Sequence, residues 1–473
     1  MKRPSLGEMI RSDACDSWWR RLRMVVTLSI PAMVAQLAGI IMEFIDASMV
    51  GSLGANASAS IALVSTSTWL FWGLCSACSV GFSVQVAHLL GAGDREGARS
   101  VLRQGLVATG LFSILLALIA GVISFRLPAW LGGDVAIQRD STLYFLIFAC
   151  TLPVYQMSML SGGMLRSSGN MVVPGTMGVV MCVLDVVFNF FLIFPTRGVS
   201  ILGTQVTLPG AGLGVEGAAI GTGCAELVAT AVLLWYMYAR SSELSLKGRP
   251  GSYRLKGRTL MRALRIGMPM GLERFITSAA QITLTIIVAP LGTLAIAANG
   301  FAITAESLCY MPGYGIGDAA QTLVGQSLGA DKPRLARRFG YMTAGIGITV
   351  MGLLGALLYF IAPYVIGIMT PVEEIVSLGA SALRIECFAE PMFAAAIVCY
   401  GVFVGAGDTV VPCCINLGCM WVVRIVLAAL LAPVWGLNGV WLAMCIELNV
   451  RGIIFLIRLR GRAWQTKIDK LRR

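Results

Sequence analysis

Charged residues are scarce in this sequence. They make up 13% of the 473 residues, about half the roughly 25% that is usual in soluble domains. Hydrophobic residues make up 57%, and the mean hydropathy is +0.80. A surface so poor in charge excludes a soluble enzyme, a disordered protein and a secreted disulfide scaffold. Because the apolar runs are long and continuous rather than alternating, they indicate a polytopic α-helical membrane protein and not a barrel.

Histidine is almost absent, because His88 is the only one in the chain. Cysteine is present, with 13 residues, but all except Cys15 lie in apolar segments. Cys75 and Cys78 have the spacing of half a metal or redox motif, yet no second pair has ligand spacing. We therefore expect cysteines that serve as apolar packing residues, and no cofactor. A membrane-embedded enzyme is disfavoured, because no nucleophile has a histidine in its own span.

The net charge of +12 comes from basic residues that cluster between the apolar runs. A nucleic-acid-binding protein would instead carry a basic binding face, and we expect no nucleic-acid partner. Most Lys and Arg fall in alternate connections, which is the positive-inside pattern. We therefore predict a multi-pass protein of the plasma (inner) membrane with both termini in the cytoplasm. The segment before the first apolar run is polar and basic, so no cleavable signal peptide is predicted.

Twelve apolar runs are long enough to cross the roughly 30 Å hydrocarbon core of a bilayer. Their approximate limits are 24–50, 58–90, 101–125, 141–164, 172–194, 214–239, 263–288, 295–328, 339–362, 376–404, 409–432 and 436–457. The domains that follow are a cytoplasmic arm (1–23), an N-lobe of six helices (24–241), a cytoplasmic linker (242–262), a C-lobe of six helices (263–459) and a basic cytoplasmic tail (460–473). The predicted fold is an all-α membrane protein with twelve transmembrane helices.

The two lobes repeat one another. One constant offset along the chain superimposes Pro31 on Pro269, Gly91 on Gly329, Pro153 on Pro391 and Pro174 on Pro412. The register breaks after helix 5, where the first half has an extra stretch from Thr196 to Gly212. Since each repeat has six spans, both enter the membrane in the same orientation, and a pseudo-two-fold axis along the membrane normal should relate them. The matched prolines Pro31, Pro269, Pro153 and Pro391 are predicted to be hinges or cavity-lining bends.

Carboxylates inside the spans are candidate functional residues, because an ionisable group there costs about 2.5–3.5 kcal/mol on insertion scales. By helix direction and depth, Asp46 in helix 1, Asp185 in helix 5 and Thr222 in helix 6 share the outer half of the N-lobe. The C-lobe has no copy of this acidic pair. Further acidic candidates for a substrate site or a second-lobe site are Glu43, Glu273, Glu306 and Glu390.

Several motifs, in their order along the chain, resemble those of the multidrug and toxic compound extrusion (MATE) family. They are P-x14-D-x7-G from Pro31 to Gly54, the Leu-Gly-Ala-Gly-Asp sequence at 90–94, its counterpart at 325–330, and Gly-Ala-Gly-Asp-Thr at 405–409. The resemblance covers about residues 24–457 and is closer to the DinF-like branch. It implies two six-helix lobes, a V-shaped central cavity, and export of organic, often cationic, compounds driven by Na⁺ or H⁺.

The same resemblance assigns roles to residues. Asp46, Asp185 and Thr222 match the cation-coupling site of the family. The asparagine of the family's N-x3-D pattern is replaced by Met181, and a thioether is a poor ligand for hard cations. Protons are therefore preferred over Na⁺ as the coupling ion, although Na⁺ at Asp46 and Asp185 stays an alternative. Glu390 resembles a helix 10 carboxylate of the NorM-like branch.

The expected function is therefore a cation-coupled antiporter that exports small, cationic and amphipathic organic compounds by alternating access, as a monomer in the lipid bilayer. The main alternative is a lipid-linked oligosaccharide flippase of the same superfamily, which the acidic central charges disfavour. A channel is a further alternative. A central cavity that is sealed on one side would argue against it.

Overall fold

The computed structural model describes residues 5–12, 17–201 and 204–466, and almost all of these residues are helical. The helices are α1 (Leu6–Arg11), α2 (Trp18–Gly51), α3 (Ala55–Gly91), α4 (Arg95–Ser124), α5 (Leu127–Trp130), α6 (Val135–Ser167), α7 (Val172–Ile193), α8 (Gly214–Trp235), α9 (Gly257–Val288), α10 (Thr293–Gly329), α11 (Pro333–Met369), α12 (Glu373–Glu386), α13 (Glu390–Gly405), α14 (Val410–Gly418) and α15 (Val426–Arg460). Short π-helical turns extend α8 over Tyr236–Arg240 and join α14 to α15 over Cys419–Ile425.

The described residues contain twelve membrane spans, as predicted. Ten continuous helices are long and apolar enough to cross a bilayer, and α12 with α13 forms a further span bent by 59°. The last continuous stretch, Val410–Arg460, has 51 residues and would be about 77 Å long if straight. Gly436, with φ 57° and ψ −137°, breaks this stretch into two spans. Glycine suits this position because its backbone reaches positive φ without steric cost.

One element departs from the all-α prediction. The extra stretch between the fifth and sixth spans forms an antiparallel hairpin of β1 (Pro195–Ile201) and β2 (Thr204–Ala211). Three residues of each strand are β-branched, which favours extended backbone: Thr196, Val199 and Ile201 in β1, and Thr204, Val206 and Thr207 in β2. The hairpin begins at Pro195, two residues after α7 ends, and returns the chain to α8.

The N-terminal arm also contains structure that the sequence did not predict. Helix α2 begins at Trp18, before the predicted limit, and residues 6–11 form the separate helix α1. The Ser5 hydroxyl accepts a hydrogen bond from the Glu8 amide, and Glu8 accepts one from the Ser5 amide, which is a capping box. The hydrogen bond from the Ser5 amide lowers the pKa of Glu8. The remaining arm (1–4 and 13–16) and part of the basic tail (467–473) lie outside the described residues.

The inter-lobe contacts are themselves duplicated. Helix α2 of the N-lobe packs on α10 of the C-lobe, and its repeat mate α9 packs on α3, the repeat mate of α10. Both contacts depend on glycine: a Cβ on Gly315 would lie 2.5 Å from the Met33 amide nitrogen, and one on Gly267 would lie 2.6 Å from the Ala77 carbonyl oxygen. This exchange of equivalent contacts is what a pseudo-two-fold axis between two six-helix lobes requires.

The matched prolines do not produce matched bends. Pro31, Pro153 and Pro269 lie inside continuous helices. Pro391 instead follows a break in the chain and lies in the first turn of α13. Proline is well placed there because the first turn of a helix needs no hydrogen-bond donor. The break before Pro391 has no counterpart at Pro153, and the role of the four prolines as hinges stays a prediction.

Candidate functional site

A large cavity of about 960 Å³ lies between the lobes. Helices of both lobes line it, chiefly α2, α3, α6, α7 and α8 from the N-lobe and α9, α10 and α13 from the C-lobe. Its wall is mostly apolar and aromatic, and Trp72 stacks on Tyr155 with ring centroids 5.2 Å apart. Five carboxylates and three guanidinium groups also line it: Glu43, Asp46, Glu226, Glu273, Asp318, Arg166, Arg274 and Arg451.

The cavity is closed on one side, the basic face, which carries α1, the 92–94 turn, the 330–332 turn and the 241–256 linker. Gly91 and Gly329, which are repeat mates, pack against the backbone of the opposite lobe. A Cβ on Gly91 would collide with the Gln326 carbonyl oxygen, and one on Gly329 would collide with the His88 carbonyl oxygen. Only glycine allows such a close approach of two helices, so the duplicated glycines form the seal.

Polar contacts reinforce this seal between the lobes. Gln326 of the C-lobe donates to the Ser167 carbonyl at 2.7 Å. Deeper in the molecule, Arg166 and Asp318 approach to 3.7 Å at the floor of the cavity. These contacts hold the two lobes together at this face, which argues against the channel alternative.

Helix α1 lies across the same face and ties the two lobes together. Arg11 donates from Nη1 to the carbonyl oxygens of Leu90 and Gly91, both at 2.9 Å. Lys332 of the C-lobe donates from Nζ to the carbonyl oxygens of Ile10 and Arg11, at 2.9 and 3.0 Å. The side chain of Ile10 is fully buried. The arm is thus part of the closed face.

The predicted N-lobe site is assembled around an asparagine. The Asn189 amide nitrogen donates to Asp46 Oδ1 at 2.8 Å and to Asp185 Oδ2 at 3.1 Å. One NH₂ group therefore bridges two carboxylates from different helices, α2 and α7. Thr222 of α8 lies next to Asp185. The structure brings Asp46, Asp185 and Thr222 together, in the helices that the sequence assigned.

The site extends from the cavity wall into the protein interior. Asp46 and Thr222 face the cavity, whereas Asp185 and Asn189 are fully buried behind them. Asp185 Oδ1 and Asn189 Oδ1 are buried and have no hydrogen-bond partner in the structure. Two unsatisfied acceptors in one buried pocket are costly, and a bound cation or a proton would satisfy them.

Sequence reasoning missed Asn189. The family pattern places the asparagine four residues before Asp185, where this sequence has Met181. In the structure the asparagine lies four residues after Asp185, on the same helical face. Gly221 makes the position available, because a Cβ there would collide with Asn189 Oδ1. An asparagine one turn from an intramembrane aspartate was the observation that could have identified it. Met181 lines the cavity instead.

The second-lobe candidates do not form one site. Glu306 and Glu390 are buried near Glu386, an acid that the prediction did not select, beside the bend between α12 and α13. All three are absent from the cavity wall. The carboxylate oxygens of Glu386 and Glu390 are buried without hydrogen-bond partners. These residues form a separate acidic group inside the C-lobe.

Glu273 and Glu43 lie on the central cavity instead. The Tyr400 hydroxyl donates to Glu273 Oε2 at 2.7 Å, and the Asn416 amide donates to Glu273 Oε1 at 2.6 Å. Glu43 belongs to α2 of the N-lobe, one turn before Asp46. The four further acidic candidates therefore lie in two places, Glu43 and Glu273 on the central cavity and Glu306 and Glu390 inside the C-lobe, and their roles stay predictions.

The described residues contain no cluster of three or more His, Cys, Asp or Glu side chains arranged to hold a metal ion. A central cavity between two repeated six-helix lobes, sealed at one face, is characteristic of secondary transporters.

Comparison with known proteins agrees with this architecture. The MatE family profile matches twice, at residues 31–191 and 269–430, and the two matches begin at the repeat mates Pro31 and Pro269. The chain belongs to the MATE family, and its members are transporters rather than enzymes.

Named relatives match over nearly the whole chain. A probable multidrug resistance protein NorM of Pseudomonas aeruginosa is 28% identical over 432 residues, which cover 89% of this chain and 85% of the relative. The multidrug resistance protein MdtK of Edwardsiella ictaluri is 24% identical and covers 96% of this chain and 98% of its own length. Placement in the DinF-like branch stays a prediction.

Solved structures share the fold. An outward-facing conformation of a multidrug resistance MATE family transporter of the MOP superfamily superimposes with a TM-score of 0.84 at 20% identity, over 96% of this chain and 97% of that one. A mutant form of the Vibrio cholerae MATE transporter VcmN gives 0.83 at 18% identity, over 95% and 98% of the two chains.

Proposed function

We propose that this protein is a cation-coupled multidrug antiporter, which exports small amphipathic organic cations by alternating access. The observation that carries the proposal is the Asp46–Asn189–Asp185 group beside a cavity that is closed at one face. The multidrug resistance functions named for the relatives support it. The carboxylate that faces the cavity attracts an organic cation, and the same carboxylate can be neutralised by the coupling ion.

The coupling ion we propose is the proton. A metal ion held by both carboxylates would occupy the position between Asp46 Oδ1 and Asp185 Oδ2, and the Asn189 amide nitrogen is already there. A proton needs no such space, and it turns a carboxylate from an acceptor into a donor. Na⁺ remains the alternative, because Thr222 and Asn189 Oδ1 would add oxygen ligands.

Protonation in this group can reach both lobes through α2. A Cβ on Gly175 of the N-lobe would lie 2.7 Å from the Pro31 carbonyl oxygen. Gly315 of the C-lobe approaches the same helix two residues further on. A re-pairing of Asp46 that bends α2 at Pro31 would therefore shift contacts with α7 and α10 together. We propose that this shift exchanges the closed and open faces.

We propose that the basic face lies in the cytoplasm of a bacterial cell and that the protein acts as a monomer in the inner membrane. The positive-inside pattern of the linker and of the connections on this face supports that orientation. The bacterial relatives support the location. In this proposed orientation, closure of the basic face would make this the outward-facing state.

The flippase alternative is less well supported. A lipid-linked diphosphate requires a strongly cationic cavity, whereas carboxylates outnumber guanidinium groups on this wall. Two of the three arginines have carboxylate partners: Arg166 approaches Asp318 at 3.7 Å and Arg451 approaches Glu447 at 3.0 Å.

Export by purified protein in lipid vesicles tests the proposal. The vesicles carry independently set Na⁺ and pH gradients. Transport of an organic cation such as ethidium across their membrane should occur only when the pH gradient is present, and a Na⁺ gradient alone should not drive it. Asp46→Asn should abolish this transport while leaving the protein folded and inserted. Glu374→Gln is the matched control, because it removes one carboxylate from an exposed position at the start of α12, and it should transport at the wild-type rate. Transport by Asp46→Asn at that rate would contradict the proposal.

A further inference from the structure

Arg274 is a charged side chain that the proposed mechanism does not use. It lies in the middle of α9, inside a membrane span, and its side chain is exposed to the central cavity. An ionisable group at this depth is costly and is a functional candidate by default. The other two arginines of the cavity wall have carboxylate partners, and Arg274 differs from them.

Glu273, the neighbouring residue, does not form an ion pair with Arg274. Both carboxylate oxygens of Glu273 accept hydrogen bonds from other residues, Tyr400 and Asn416. Among the described residues, no carboxylate oxygen lies within 4.0 Å of the Arg274 guanidinium. It interacts electrostatically with Glu273 and with the phenols of Tyr155, Tyr314 and Tyr400. The positive charge therefore points into the cavity without an ionic partner.

Packing against α3 positions the Arg274 side chain. Its aliphatic stem lies on Gly73 of α3, where a Cβ would come within 2.9 Å of Arg274 Cγ and 3.0 Å of Cδ. A side chain at position 73 would push the stem away, so glycine makes room for it. The adjacent residue, Trp72, stacks on Tyr155 at an interplanar angle of 15°. Tyr155 is also one of the phenols that interact electrostatically with Arg274, so the guanidinium and this flat aromatic surface share one region of the cavity wall.

We propose that Arg274 binds the carboxylate of zwitterionic, planar aromatic substrates and thereby determines which multidrug substrates are preferred. This proposal rests on the proposed function and specifies its substrate class. A guanidinium binds a carboxylate through two parallel hydrogen bonds, and the stacked pair of Trp72 and Tyr155 accepts the planar ring. The cationic end of the same substrate faces the acidic side of the cavity, at Glu43 and Asp46. A purely cationic substrate gains nothing from Arg274 and is repelled by it.

Rhodamine B and its ethyl ester form a matched pair of probes. The first is a zwitterion with a free carboxylate at neutral pH, and the second is a cation with the same ring system. Equilibrium dialysis with purified protein gives the ratio of the ester Kd to the acid Kd. We expect the wild type to bind rhodamine B more tightly, and Arg274→Met to lower this ratio on the order of tenfold or more, because a charge-assisted contact is lost. Arg274→Lys should retain part of the preference.

Arg384→Met is the matched control. This arginine also belongs to the C-lobe, but it donates to the Tyr359 carbonyl at 3.1 Å and does not line the cavity. Its ratio should equal that of the wild type. An equal ratio in wild type and Arg274→Met would overturn the inference, and so would failure of the wild type to bind either dye. Equal Kd values for the two dyes that both change with chloride concentration would also overturn it, because Arg274 would then bind an inorganic anion and not the dye carboxylate.

Different experiments test the proposed antiport function and the proposed role of Arg274. The Kd ratio is measured at equilibrium without a gradient, so it does not depend on coupling. Gradient-driven export of the ester by the wild type, together with an unchanged ratio in Arg274→Met, would leave the proposed function intact and remove the role of Arg274.

Discussion

The amide of Asn189 should be the structural link of the coupling site, and Asn189→Leu tests this. Leucine has nearly the same size but cannot donate, so Asp46 Oδ1 and Asp185 Oδ2 both lose a donor at 2.8 and 3.1 Å. Hydrogen bonds to charged groups contribute about 1.5–3 kcal/mol each. The change should therefore destabilise the folded protein by roughly 3–6 kcal/mol when both carboxylates are ionised.

The loss should depend on pH, with a definite sign. At low pH a proton on one carboxylate supplies a donor to replace the missing amide, so the destabilisation should be smaller at pH 5 than at pH 8. The assay is the apparent Tm of purified protein in detergent at the two pH values. Asn449→Leu is the control, because its amide donates only to the Cys445 carbonyl of its own helix and to the Cys445 sulfur. Equal Tm losses for the two variants, with no dependence on pH, would refute the reasoning.

Three further predictions concern the seal, the orientation and the second lobe. Gly91→Leu should force α3 and α10 apart at a cost of about 1–3 kcal/mol and increase labelling of a cysteine at Ser76 from the basic face. Gly345→Leu, where a side chain has open space, should not. A single cysteine at Arg254 should resist an impermeant maleimide applied outside intact cells, whereas one at Val135, which is exposed at the opposite face, should react; the reverse would overturn the orientation. Glu390→Gln should raise the apparent Tm, because it removes a buried carboxylate whose oxygens have no hydrogen-bond partner. The same change should lower export, because a neutral side chain cannot bind a cation in the second-lobe acidic group. Unchanged export would remove that role.

Features that follow from long sequence patterns could be predicted from the sequence alone. Twelve apolar runs predicted the spans, because a bilayer demands about 20 apolar residues per helix. The constant offset between the two halves predicted the repeat. In the structure the repeat mates Gly91 and Gly329 make equivalent contacts with the opposite lobe. Asp46, Asp185 and Thr222 could be placed together because helix direction and depth follow from the spans.

Features that depend on tertiary contacts could not be predicted in this way. The hairpin of β1 and β2 forms by pairing between two short segments that have no membrane pattern. The bend before Pro391 arises although its repeat mate, Pro153, lies in a continuous helix. Glu273 does not pair with the adjacent Arg274, because neighbours along a helix point in different directions. Tyr400 and Asn416 donate to it instead, and both come from other helices.

The central claim is that a proton and an organic cation compete for the Asp46–Asn189–Asp185 group. Proton release on substrate binding tests it most directly: ethidium is added to purified protein in weakly buffered solution, and the pH change is recorded near neutral pH. The account predicts release of protons by the wild type, no release by Asp46→Asn, and wild-type release by Glu374→Gln. Binding of ethidium by the wild type without proton release, or equal release by Asp46→Asn, would contradict it.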